Sequence, residues 1–92
     1  MQYEHGGLGA MLKQLRNHKT RTVGLKQTIQ AIQSGRVEQV FLAQDIDDYI
    51  SNMVKTECDI AGLKINYIDT KEDIGEACGI AVGAATAATL KA

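Results

Sequence analysis

Four consecutive apolar residues, Val40-Phe41-Leu42-Ala43, lie inside the stretch 37–43, and such a run admits few folds. A strand with one wet face alternates apolar with polar residues, whereas an unbroken run suits a strand covered on both faces, as in a parallel or mixed sheet. Covering both faces requires helices on both, so strands and helices should alternate along the rest of the chain. They do. Arg21-Thr22-Val23 reads as a brief strand entering Gly24. Leu25, Ile29 and Ile32 then repeat at i, i+4 and i+7, and Gly35 ends that helix where a left-handed cap is expected. Ile46, Ile50, Met53, Val54, Cys58 and Ala61 mark a second helix stopped by Gly62, and Ile65, Tyr67 and Ile68 a short strand. Thr70-Lys71-Glu72-Asp73 resembles a capping arrangement with Thr70 as N-cap, opening a short helix that ends at Gly79.

At the two ends of the chain the pattern is weaker. Leu8, Met11, Leu12 and Leu15 recur at helical spacing with Lys13 and Arg16 outward, and Gly6, Gly7 and Gly9 should leave the start poorly ordered. In the tail 80–92, alanines favour helix, while Val82, Thr86 and Thr89 with Gly83 suit a strand; alternation of elements favours the strand. The sum is a three-layer α/β/α sandwich around a small mixed four-stranded sheet. Residues 1–92 are expected to form one domain, with 1–18 as an N-terminal extension carrying a short helix; 92 residues suffice for a core without metal or disulfide.

Cys58 and Cys78 are too far apart for a Cys-x-x-Cys motif and sit among apolar helical positions, which points to buried packing in a reduced, cytoplasmic protein. His5 and His18 have no partner at ligand spacing, and no metal or other cofactor is expected. The weakly polar run 79–90 is too short to span a bilayer. Asp45, Asp47 and Asp48 crowd a helix start, where negative charge suits the dipole; a calcium loop would need further oxygen ligands and a glycine turn. No nucleophile elbow, phosphate loop or dinucleotide fingerprint is present, so an enzyme is not expected.

The candidate binding feature is Gly24-Leu25-Lys26-Gln27-Thr28-Ile29-Gln30, a helix start led by glycine and free of acids. An uncapped start exposes backbone N–H groups and the positive end of the dipole, which favour an anion. The net charge of −1 argues against a nucleic-acid binder as an average over the molecule. Residues 1–36, however, hold Lys13, Arg16, Lys19, Arg21, Lys26 and Arg36 against the single acid Glu4. Glutamine amides both donate and accept, which suits base edges, and lysine supplies charge to phosphates. With Tyr3, Phe41, Tyr49 and Tyr67 as the whole aromatic set, recognition by base stacking on a sheet is disfavoured.

Three blocks, 23–32, 40–45 and 74–85, resemble in order and interval the ribosomal-protein family L7Ae/L30e, above all its small bacterial members. The resemblance spans about residues 20–90. It implies an α/β/α sandwich that binds kink-turn RNA, a sharply bent duplex with tandem sheared G·A pairs. The glycine-led helix would enter the major groove at the kink, and the apolar loop after the last short helix would cover the flipped-out bases. By position, the helix contacts fall on Gly24, Lys26, Gln27 and Gln30, and the loop contacts on Ile80, Ala81 and Val82. It further implies that the alanine-rich tail forms a strand.

The departures from the family pattern matter too. Lys26-Gln27 stand where many members have Asn-Glu, although small bacterial relatives also look Lys-Gln. Gln30 replaces a lysine, Ala81 a glutamate, and Asp48 and Asn66 stand where prolines are common. Losing one phosphate contact should lower the salt slope by about one unit, and Lys19, Arg21 or Lys71 are the candidates to compensate. The expected function is therefore that of a non-enzymatic kink-turn RNA binder, associated with the ribosome and monomeric when free. The alternatives are a protein-interaction module of the same fold with weakened RNA specificity, and the RNA-recognition domain of a modifying enzyme.

Overall fold

The structure, a computed structural model, describes residues 12–16 and 20–91; the expectations for the glycine-rich start, Leu8 and Met11 lie outside these. Residues 12–16 are helical (α1). The elements that follow are β1 (Arg21–Val23), α2 (Leu25–Gln33), β2 (Val37–Ala43), α3 (Asp48–Ala61), β3 (Ile65–Ile68), α4 (Lys71–Ala77) and β4 (Thr86–Leu90). Strand order in the single sheet is β1-β4-β2-β3, with β1 and β2 antiparallel to β4 and β3 parallel to β2.

The unbroken run in β2 is buried on both sides, as its composition demands. Phe41 and Ala43 join Leu15, Ile68, Ile74, Ala77, Cys78, Ala84 and Ala87 in one core, while Val40 and Leu42 join Ala31, Ile32, Val37, Val54, Cys58 and Ala88 in the other. Helices α1 and α4 thus cover one face of the sheet and α2 and α3 the opposite face, giving three layers. A register shift between Val37 and Gln39 returns Val37 to the same side as Val40, so the strand twists without exposing an apolar residue.

Local chemistry sets the ends of the helices. The Thr70 hydroxyl accepts from the Asp73 N–H at 3.1 Å, as expected of an N-cap. Helices α2, α3 and α4 close near Gly35, Gly62 and Gly79, all in the left-handed region. The acidic cluster behaves otherwise than its position suggests. Asp48 lies in the first turn of α3, but the N-cap Asp47 makes no side-chain capping bond, and Asp45 instead accepts from the Lys71 N–H at 2.7 Å. Asp45 therefore serves the start of α4, 26 residues on, rather than that of α3, the helix it adjoins. The tail forms a strand only from Thr86; residues 80–85 are a loop. Asn66 donates its amide to the Val40 carbonyl at 3.1 Å. No helix among the described residues is long and apolar enough to cross a membrane.

Candidate nucleic-acid interface

Gly24 joins β1 to α2 at φ 99° and ψ 164°, a region open in practice to glycine. Its N–H donates to the Thr86 carbonyl at 2.9 Å and its carbonyl accepts from Thr28 at 3.1 Å, the first bond inside the helix. Leu25, Lys26 and Gln27 thus form a first turn with no side-chain cap and no acid. Beneath it, the buried hydroxyls of Thr22 and Thr28 pair at 2.8 Å, fastening the helix to the strand before it. Lys26, Gln27 and Gln30 all point to solvent. The uncapped start read from the sequence exists as an exposed turn fastened to β1 and to Thr86.

The loop after α4 reaches the same end of the sheet, because it runs into β4 at Thr86, the residue that holds Gly24. Helix α4 ends in a double turn: Gly79, at φ 75°, donates to Glu76 O at 3.0 Å, and Ile80 donates to Gly75 O at 3.0 Å. In this motif the residue in the place of Ile80 usually packs on the side chain three residues before the cap. Here that residue is Gly75, which has none. Ile80 accordingly stays 37% exposed and Val82 70% exposed, with Ala81 between them also open to solvent. A Cβ on Gly75 would collide with the Val82 carbonyl oxygen, so the loop lies directly on the helix backbone. Gly24, which leads into Lys26, Gln27 and Gln30, is thus joined by a hydrogen bond to Thr86, where the loop carrying Ile80, Ala81 and Val82 ends.

Of the three basic candidates, Lys19 lies outside the described residues. Lys71 borders the loop: its carbonyl accepts from Ala84 N–H at 3.0 Å, its side chain passes over Gly83, and the residue is exposed. Arg21 is directed inward, where Nη2 donates to the Cys78 carbonyl at 2.8 Å and Nη1 approaches the Arg16 carbonyl at 3.5 Å. Burial pushes the Cys78 thiol up in pKa, with the charge and hydrogen bond of Arg21 opposing; burial and then Glu57 push Cys58 up. Both thiols are free and buried, and so poor nucleophiles. No group of three or more His, Cys, Asp or Glu among the described residues could hold a metal.

Two features went unread in the sequence. Glu72 and Glu76 line a shallow depression together with Ile80, Ala81, Val82 and Gly83, placing two carboxylates beside the apolar loop. Their i, i+4 spacing was the available signal. Gly75 carried no signal beyond being a glycine within a helix.

The Ribosomal protein L7Ae/L30e/S12e/Gadd45 family profile matches residues 8–92. The chain belongs to the L7Ae family. Among its L7Ae relatives, a protein named RNA-binding protein from Caldanaerobacter subterraneus subsp. tengcongensis is 47% identical over 68 residues, 74% of this chain and 83% of that protein. Another of the same name from Halalkalibacterium halodurans is 38% identical over 69 residues, 75% of this chain and 84% of the relative. The L7Ae-type fold is also that of the Giardia lamblia 15.5kD RNA binding protein, with a TM-score of 0.81 at 22% identity over 94% of this chain and 76% of that one.

Proposed function

We propose that this chain is a non-enzymatic RNA-binding protein that recognises kink-turn RNA, acting as a single domain, monomeric when free, in the cytoplasm and in association with the ribosome. The observation that carries the reading is the pairing at one end of the sheet of an uncapped, acid-free helix start with an exposed apolar loop. Backbone N–H groups and Lys26 suit phosphates, and Gln27 and Gln30 suit base edges. Ile80 and Val82 offer apolar surface to bases that have left the stack. The names of the sequence relatives as RNA-binding proteins support the class of ligand.

The deciding experiment is a calorimetric titration against a kink-turn RNA and against the same RNA with its G·A pairs replaced. Binding to the first alone is expected; equal or absent binding to both would overturn the reading. One observation favours a second reading, a protein-interaction module of the same fold: Glu72 and Glu76 stand where a polyanion would pass close to the loop. A protein partner that survives nuclease treatment, with no preference for the kink-turn, would be its signature.

A further inference from the structure

We infer that Arg21 is a positioning residue, a strut that sets the apolar loop relative to the helix start. The inference rests on the kink-turn reading for its consequence, though not for its geometry. Helix α4 has no basic residue in its last turn, so its terminal carbonyls lack a cation of their own. Arg21 supplies it from 57 residues away, through the 2.8 Å bond to the Cys78 carbonyl. Its second nitrogen approaches the Arg16 carbonyl, so the planar fork spans two carbonyls and is held against rotation.

What is held there is more than a helix end. Three of the loop's anchors, Ile80 N–H on Gly75 O, Ala84 N–H on Lys71 O and the Val82 carbonyl on Gly75, are made to α4, while at its far end Ala85 O accepts from Ala43 N–H of β2 at 2.9 Å. Residues 80–84 therefore follow α4, which rests on the sheet through Ile74, Ala77 and Cys78 and is tied to β1 at its C-terminal end by Arg21. Strand β1 makes the opposite connection with its next residue, since Thr22 faces the other side and pairs with Thr28 of α2. Successive side chains of one short strand thus hold the two walls of the candidate interface. Two of the guanidinium's five N–H donors are thereby turned to backbone carbonyls.

The test is Arg21→Gln and Arg21→Lys, each titrated with kink-turn RNA over a range of salt concentrations, with amide exchange followed in the free proteins. Arg21→Gln should weaken binding about tenfold at unchanged salt slope and speed exchange at Ile80 and Ala84, leaving Thr28 protected. Arg21→Lys, which keeps a donor but loses the fork, should recover part of both. A salt slope reduced by about one with loop exchange unchanged would make Arg21 a phosphate contact and overturn the inference. Unchanged affinity and exchange in both variants would also overturn it. If the wild-type protein fails to bind the RNA, the functional reading falls while the exchange data still judge the strut.

Discussion

Replacing Gly75 by alanine adds one methyl group at the point where the loop rests on α4. The new carbon would overlap the Val82 carbonyl oxygen and lie 3.1 Å from both the Val82 carbonyl carbon and the Gly83 Cα. All three are backbone atoms, so no rotamer change relieves the overlap. Restoring an ordinary carbon–oxygen separation of about 3.3 Å requires the loop to lift by roughly 1 Å. Overpacking of this kind costs about 1–3 kcal/mol, and alanine returns about 1 kcal/mol through its better helix propensity. Global stability should therefore fall by no more than about 2 kcal/mol. Binding should suffer out of proportion, because Ile80 and Val82 are carried on the displaced segment. Partial loss of apolar burial at two such side chains corresponds to about 1–2 kcal/mol, or roughly 5–30-fold in affinity. Denaturant melts, titration with kink-turn RNA and exchange at the Ile80 amide would be measured together. Wild-type affinity with an undisturbed Ile80 amide would refute the argument that contact with Gly75 sets the loop.

Two further outcomes are expected. Gln30→Lys restores a cation one turn along the exposed face of α2, and should tighten kink-turn binding at low salt while steepening the salt dependence by about one unit; an unaltered slope would remove position 30 from the interface. Thr89 is buried and its hydroxyl has no hydrogen-bond partner among the described residues, so Thr89→Val, which replaces that hydroxyl by a methyl of similar size, should stabilise by about 1 kcal/mol and raise Tm by about 4–8 °C in a thermal melt.

The parts of the molecule legible in the sequence are those governed by neighbours along the chain. Val40 to Ala43 announced a doubly covered strand, Gly35, Gly62 and Gly79 announced helix ends, and Thr70 with Asp73 announced a cap. Each follows from periodicity or a conformational preference acting within a few residues. The uncapped turn at Gly24 was legible for the same reason. The hydrogen bonds of Asp45 and Arg21 went unread because their partners lie far away in sequence, and the contact of Gly75 because it depends on the path of the loop seven residues on. Asp45 bonds a backbone group 26 residues on, and Arg21 one 57 residues on. Such choices depend on which loops the sheet brings together, and the carbonyl partner of a basic side chain is not announced by its neighbours along the chain. The tail was readable as a strand but not in extent, since Val82 and Gly83 belong to a loop shaped by α4 rather than to the ladder.

The inner strand β4 consists of Thr86-Ala87-Ala88-Thr89-Leu90, and its first four residues are buried. Its two alanines face opposite cores, so the bulk of both interiors comes from neighbouring elements, chiefly Phe41 and Leu42 on β2. A larger side chain at Ala87 or Ala88 would have to push a whole helical layer outward. This strand therefore acts as a gauge of thickness for the domain. Mutational tolerance should be lowest along it, although no residue there has a side chain larger than leucine's, and divergence within the family should be easier at the surface of α3 than along these few small residues.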